Sequence, residues 1–387
     1  MGIARDLTVD GAVLLSASDW SAEIDLKRAR IVEWMRAQHF EGLLLRRNEN
    51  ISWITGGAVE LRVLTPSETG VGSVLLTQDG RCFYLTTANE APRLAEEEFG
   101  ALGFEPVVFP WAADATVDRA LELAGPHVAC DVPTPGLAPA HLAPLRASLS
   151  ETEIHRFRWL GAATAEATTQ VLRTLRPGVS EFEMEAQVSA ALLRRGILPS
   201  VYLMAVDDRI LRYKHAVARG RSMQRFAMLN LCARRWGLTV SITRFAHVGP
   251  LPAELQRGFA AAAHVNAALL HHTRAGVTSA ELYRVATDAY ADAGFPGEEL
   301  RHHQGGATGY WEREWVATPD GAERVLDCQA FAWNPSAAGG KAEDTVLLHE
   351  DRTENGRIET LTATPDLPVL RARFQGVEYT CAGVLEL

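Results

Sequence analysis

Hydrophobic and polar positions alternate with different periods along the chain, and the changes of period divide it. Over residues 19–39 the apolar positions recur at helical spacing. Ile24, Ile31, Met35 and the indole of Trp34 make one stripe among charges, which predicts an amphipathic helix. Gly42-Leu-Leu-Leu is a short buried strand, and Ile51-Ser-Trp-Ile-Thr-Gly-Gly57 is an apolar segment ending in a turn. Val74-Leu-Leu-Thr, then Asp79-Gly80, then Cys82-Phe-Tyr-Leu predicts a hairpin on an Asp-Gly turn. Residues 90–99 are helical, and Val107-Val-Phe and Val128-Ala-Cys are strands. Strands alternating with helices predict an α/β domain over residues 1–148, closing near the proline-rich stretch 133–144.

Residues 149–387 follow another plan. Ser150 and Glu153 form a capping-box signature that opens a long helix to about Leu175. Arg176-Pro-Gly178-Val-Ser180 follows, and Ser180 with Glu183 opens a second helix ending near Gly196. The same grammar returns about 98 residues later. A helix over 254–272 leads into Arg274-Ala-Gly276-Val-Thr278, and Thr278 with Glu281 opens a helix ending at Gly294. The spacing from arginine to glycine is the same in both copies. This internal repeat predicts a pseudo-twofold α+β domain, with two helix pairs over a shared, curved antiparallel sheet.

With 387 residues, two domains are the expectation. The net charge of -10 argues against nucleic acid or an anionic membrane as the main partner. Five scattered cysteines (Cys82, Cys130, Cys232, Cys328, Cys381) with no CxxC fit a reducing compartment. No apolar run approaches the length of a membrane span, and Met-Gly-Ile-Ala-Arg-Asp leads into no signal-like core. A cytoplasmic protein is expected.

Candidate chemistry centres on residues 229–244, two apolar, β-branched strands turned by Trp236-Gly237. Neighbouring strands aim side chains of matching parity at one point, and Asn230 and Ser241 sit where such a pair converges. Asn230 to Arg244 resembles the Asp-(ten residues)-Asp-Ile-Thr-Arg hairpin of the pita-bread superfamily of creatinase, prolidase, aminopeptidase P and methionine aminopeptidase. In the peptidases of that superfamily the two Asp positions bind a dinuclear metal centre. Creatinase lacks the metal and has Asn at the first position, as here. The run Asn50-Ile-Ser-Trp-Ile-Thr-Gly56 resembles the superfamily's amino-terminal domain, which in creatinase-like dimers lends residues to the partner's site; Arg46, Arg47 and Arg62 are its basic candidates here. The resemblance implies a homodimer.

Further positions follow from the same resemblance. His215 precedes the hairpin, as does the histidine that resembles creatinase's proton shuttle. His302-His303-Gln-Gly-Gly306 is similar to the Gly-His-x-x-Gly loop, with either histidine fitting the register. Arg313 resembles the arginine that clamps a substrate carboxylate, although Glu312 and Glu314 are alternative partners for it. Asn334, after Phe331-Ala-Trp333, stands where the superfamily has a metal-bridging Glu. Glu343 matches the last ligand, with a shorter gap from Asn334 than the superfamily leads one to expect. Five positions that should read Asp, Asp, His, Glu, Glu read Asn230, Ser241, His302 or His303, Asn334 and Glu343. One imidazole and one carboxylate are too few to hold a divalent ion tightly. No tightly bound metal cofactor is expected; weak divalent binding stays open.

Three functions follow. The first is a creatinase- or prolidase-like hydrolase that cleaves a C–N bond in a small carboxylate-bearing or Xaa-Pro-like substrate. His215, His302, His303 and Glu343 would be catalytic, with Arg313, Asn230, Ser241, Asn334 and Trp333 binding substrate. The second is a prolidase-like metallopeptidase with weak metal use on a dipeptide. The third is a non-catalytic small-molecule-binding homologue.

Overall fold

The computed structural model describes residues 6–349 and 358–387; the amino-terminal Met-Gly-Ile-Ala-Arg stretch lies outside them. The chain divides into two compact units. One comprises Met1–Arg146, Ser150–Arg156 and Trp236–Leu238, and the other comprises Ala147–Leu149, Phe157–Arg235 and Thr239–Leu387.

The first unit is α/β. Its six-stranded mixed sheet runs in the order Glu105–Phe109, Cys82–Thr87, Thr69–Thr77, Gly42–Arg47, Val128–Cys130, Ala138–Pro139. The amphipathic helix is Ala17–Gln38. Ser16 caps it by accepting from the Asp19 N–H (3.1 Å), and His39 ends it in the left-handed region, with φ 60°. The expected stripe is buried at Ile24, Ile31 and Met35, with Trp20 one turn earlier, while Trp34 is half-buried against Phe40. The apolar segment after Gly42–Arg47 is itself a helix, Asn48–Ile54. A buried ion cluster ties the unit together: Lys27 Nζ lies 2.5 Å from Glu23 and 2.7 Å from Glu153, and Arg156 Nη2 lies 2.6 Å from Glu23. Burial pushes the Glu23 carboxyl up, but Lys27 and Arg156 outweigh it and hold its pKa at about 2.

The repeat lies in the second unit, except for residues 151–156 of its first helix, which count with the first. Helices Glu151–Thr174 and Glu181–Leu193 are matched by Ala253–His272 and Ser279–Asp292. Both capping boxes form, at Ser180 with Glu183 and at Thr278 with Glu281. Each loop turns on a glycine in the left-handed region, Gly178 (φ 98°) and Gly276 (φ 90°), as the tight reversal requires. Each then closes on its own half in the same way. Gly178 N–H donates to Met223 O (2.8 Å) and Gly276 N–H to Val325 O (2.9 Å).

Beside the two-stranded pairs Ser336–Ala337 with Gly340–Lys341 and Val369–Phe374 with Val377–Ala382, hydrogen bonding resolves two larger sheets among the described residues of this unit. One runs Val384–Glu386, Leu238–His247, Phe226–Arg235, Leu198–Val206, and the other Trp315–Val316, Gly305–Thr308, Ala330–Trp333, Asp344–Leu348, Ile358–Thr360. Alternate residues of Leu238–His247 stitch the two. Thr239 N–H donates to Gly309 O (2.8 Å), Ser241 N–H to Thr345 Oγ1 (2.7 Å) and Thr243 N–H to Glu343 O (3.2 Å). Helices Ala253–His272 and Ser279–Asp292 pack Val265, Leu269, Leu282 and Tyr290 on Phe331 and Trp333 of the five-stranded sheet. Among the described residues no helix is long and apolar enough to cross a membrane.

Candidate functional site

The site grows from the seam between those two sheets. Trp236 (φ 54°) and Gly237 (φ 79°) turn the hairpin, as a two-residue connection between right-twisted strands requires. That register aims Asn230, Cys232, Ser241 and Thr243 at a common point. Asn230 Nδ2 donates to Thr243 Oγ1 and to Glu343 Oε2, and Thr243 Oγ1 donates to Glu343 Oε2. Cys232 Sγ lies 3.2 Å from Ser241 Oγ. Burial pushes the Cys232 thiol up to about 11, so it is a packed, protonated group rather than a nucleophile.

Glu343 is the hub. Its side chain is nearly buried, with Lys341 Nζ at 2.8 Å from Oε2 and Arg313 Nη2 at 3.1 Å from Oε1. Burial pushes its carboxyl up, but Lys341 and Arg313, with the bonds from Lys341 and Thr243, bring its pKa down to about 2. Arg313 also donates through Nη1 to Ser241 Oγ (2.9 Å) and to Glu312 O (2.6 Å). Its fork is committed to Glu343 and Ser241, leaving Nε buried with no hydrogen-bond partner among the described residues.

The short link from Asn334 to Glu343 is a tight hairpin. Ser336–Ala337 pairs with Gly340–Lys341 across Ala338 (φ 43°) and Gly339 (φ 84°). A Cβ on Gly340 would come within 2.3 Å of the Phe259 backbone nitrogen, so only glycine lets the hairpin lie on helix Ala253–His272. Lys341 leaves this hairpin two residues before Glu343, and alternation puts both ends on one point. The sequence reading overlooked Lys341; the Lys-x-Glu spacing was the signal available. Thr243 and Thr345 were overlooked as well, as ordinary strand residues.

Three imidazoles form a second group. His302 Nε2 and His215 Nε2 are 2.9 Å apart, and ligand nitrogens of His215, His302 and His303 all lie within 4.8 Å of one another. His303 Nδ1 accepts from Gly305 N–H (3.2 Å), while His302 Nδ1 is buried with no hydrogen-bond partner among the described residues. All three are biased to the neutral form. Burial, with His303 and Lys341, brings His302 to about 3; burial, with Arg313 and Lys341, brings His303 to about 4; burial and Lys341 lower His215. Both candidate histidines of the loop therefore belong to this group.

Asn334 and Trp333 separate at the end of their strand. Asn334 Oδ1 is buried with no hydrogen-bond partner among the described residues. Trp333 does not join the site, which corrects its assignment to substrate binding. It is 1% exposed, stacks on Phe331 at 5.6 Å and donates from Nε1 to Thr273 Oγ1 (3.1 Å). Residues two apart on a strand share a face, so Phe331 and Trp333 both enter the core.

The donor set does not suit a pair of divalent cations. Asn230, Ser241 and Asn334 bring no charge, and both oxygens of Glu343 are taken by two side-chain cations and two neutral donors. Hard divalent ions need several free carboxylate oxygens.

Two family models match the chain: metallopeptidase family M24 over residues 155–349 and the creatinase/prolidase N-terminal domain over residues 27–154. No curated protein sequence matches. Among solved structures, the prolidase from Pyrococcus horikoshii OT3 superposes with a TM-score of 0.74 at 19% identity, over 88% of this chain and 98% of that one. Dipeptidase PepE from Mycobacterium ulcerans gives 0.71 at 19%, over 89% and 96%. The Xaa-Pro dipeptidase from Bacillus anthracis gives 0.69 at 18%, over 88% and 98%. At such identities the likeness shows the fold.

Proposed function

The chain belongs to metallopeptidase family M24, with a creatinase/prolidase-type domain before it, and from that premise we propose a creatinase- and prolidase-like hydrolase that works without a tightly held pair of metal ions. Its substrate is a small carboxylate-bearing or Xaa-Pro-like molecule, and the bond broken is C–N. One observation carries this reading: Lys341 and Arg313 sit on Glu343, so fixed side-chain cations fill the place where the family's carboxylates would hold metal.

His215 is the proton carrier. It is exposed, neutral at pH 7 by its lowered pKa, and anchored by its contact with His302. It takes a proton from water as the water oxygen bonds to carbon, and returns that proton to the nitrogen as the C–N bond breaks. His302 and His303, kept neutral, orient it without competing for the proton. Arg313 Nε and the Lys341 ammonium face the substrate carboxylate, and Asn334 Oδ1 accepts from a substrate N–H. Asn230 and Ser241 hold Glu343 and Arg313 in place.

A second reading rests on the same orphan atoms. Arg313 Nε, Asn334 Oδ1 and His302 Nδ1 are two hydrogen-bonding nitrogens and an acceptor that a bound small molecule could satisfy without being cleaved. Chelator-stripped protein incubated with Xaa-Pro dipeptides and small amidino or amide carboxylates tests both readings. Amine release without added metal supports the hydrolase. Ligand-dependent melting shifts without product support the binder. Turnover that requires two bound Mn2+, Co2+ or Zn2+ ions per chain overturns the metal-free mechanism.

A further inference from the structure

We propose that His215, His302 and His303 form a binding site for a single first-row transition-metal ion of the zinc class. The site shares one loop histidine with the positions at which the family's dinuclear centre is expected, and nothing else. Asn230, Ser241, Asn334 and Glu343 contribute nothing to it, and His215 comes from the segment ahead of the hairpin rather than from the ligand strands.

The geometry is close to what such an ion needs. A zinc-to-imidazole bond is about 2.0–2.1 Å long, so two nitrogens on one ion lie roughly 3.0–3.4 Å apart. His215 Nε2 and His302 Nε2 already stand at 2.9 Å, and the third nitrogen is within 4.8 Å of both. Without an ion, two ring nitrogens at that distance must share one proton. With an ion, both lone pairs point at it. His302 Nδ1 has no partner, so nothing holds that ring to one tautomer. His215 is exposed, which gives the ion a path in and leaves a coordination position for water or an anion.

Ligand type selects the ion. Three imidazoles and no carboxylate favour Zn2+, Co2+, Ni2+ and Cu2+ over Mg2+, Ca2+ and Mn2+. Charge sets the strength. Lys341 and Arg313 act on these rings, and Glu343 cancels only one of the two positive charges. Affinity is therefore lower than for a charge-balanced site, and an anion completes the coordination.

The probe is Co2+ added to chelator-stripped, full-length protein, followed in the visible region and by equilibrium dialysis. The expected result is one Co2+ per chain with imidazole-type d–d bands, full displacement by Zn2+, and no saturable Mn2+ binding. His215→Ala, a change at an exposed side chain, should abolish the bands while leaving the melting curve intact. His302→Ala should do the same, and Lys341→Met should tighten binding. The proposal is overturned if wild-type protein binds no Co2+, or if His215→Ala binds it as well as wild type. Two Mn2+ per chain, lost in Glu343→Gln, would place the metal at the carboxylate instead. None of these readouts needs the protein to turn anything over, so the hydrolase reading and the metal site can fail separately; a bound ion takes the His215 lone pair and so opposes its proton transfer rather than assisting it.

Discussion

Two buried glutamates are held by the same pair of cation types, and they differ in what surrounds them. Glu23 in the first unit sits between Lys27 and Arg156, and Glu343 in the second sits between Lys341 and Arg313. Both carboxyls are held near a pKa of 2. Around Glu23, a second carboxylate, Glu153, shares Lys27, and Thr152 donates to the remaining oxygen (2.7 Å). The Glu343 group adds neutral donors from two strands and lies among atoms with nothing to bond, Arg313 Nε and Asn334 Oδ1. The first cluster balances two cations with two carboxylates. The second sets two cations against one carboxylate, and that remaining positive charge is what distinguishes a place for a carboxylate-bearing ligand from a brace.

Lys27→Met is the largest way to break this comparison. It leaves Glu153 and half of Glu23 buried without their cation, which costs about 3–5 kcal/mol in urea unfolding. A loss under about 1 kcal/mol would mean that the brace is not a brace.

A third buried glutamate shows what burial does when cations do not prevail. Glu49, 6% exposed, is raised from 4.5 to about 7, because burial outweighs its own backbone contact and the pull of Arg146 and Arg47. The signs differ among the three. Glu23 and Glu343 contribute stability that is complete above their unfolded pKa and lost as pH falls toward about 2. Glu49 is favoured protonated, so its contribution is complete below 4.5 and is lost as pH rises through about 7. At about 1.4 kcal/mol per unit this amounts to about 3 kcal/mol. Glu49→Gln should remove that decline from a stability-against-pH curve; an unchanged slope would place the titration elsewhere.

Lys341→Met comes next. Glu343 keeps Arg313, Asn230 and Thr243, so the cost in unfolding should be about 2 kcal/mol, below that of Lys27→Met. Ligand binding or turnover should fall far more than stability. If the two substitutions cost the same and function is untouched, the cleft cluster is a second brace and the contrast collapses.

Much of this was legible because it repeats or alternates. The capping boxes at Ser180 and Thr278, the loops on Gly178 and Gly276, and the hairpin at Trp236-Gly237 are local features whose residues name their own geometry. Strand parity and the superfamily resemblance both single out Asn230 and Ser241, while the resemblance alone singles out Glu343. Trp333 was misplaced because it neighbours Asn334 in sequence while parity sends it to the opposite side. Lys341 was missed because nothing local marks a lysine as buried. Its place depends on a hairpin from Ser336–Ala337 to Gly340–Lys341 that only glycine permits against helix Ala253–His272. The meeting of His215 with His302 joins residues 87 apart, and no short-range pattern encodes it.

The smallest expected effect on stability sharpens the comparison most. Asn334 is 3% exposed, and its side-chain oxygen has no hydrogen-bond partner among the described residues. A buried acceptor without a partner carries a desolvation penalty and returns nothing to the fold, so an apolar replacement of similar shape is neutral or stabilising. Asn334→Leu should therefore leave urea-unfolding stability within about 0.5 kcal/mol of wild type, or raise it. The same change should weaken binding of any carboxylate- or amide-bearing ligand, read by melting shifts. Around Glu23 the charges balance, and removing one of those charged groups leaves another buried without its counter-charge, which costs stability. If Asn334→Leu destabilises the protein by as much as a lost buried hydrogen bond, Asn334 Oδ1 has a structural partner, and the cleft is a brace as the first cluster is.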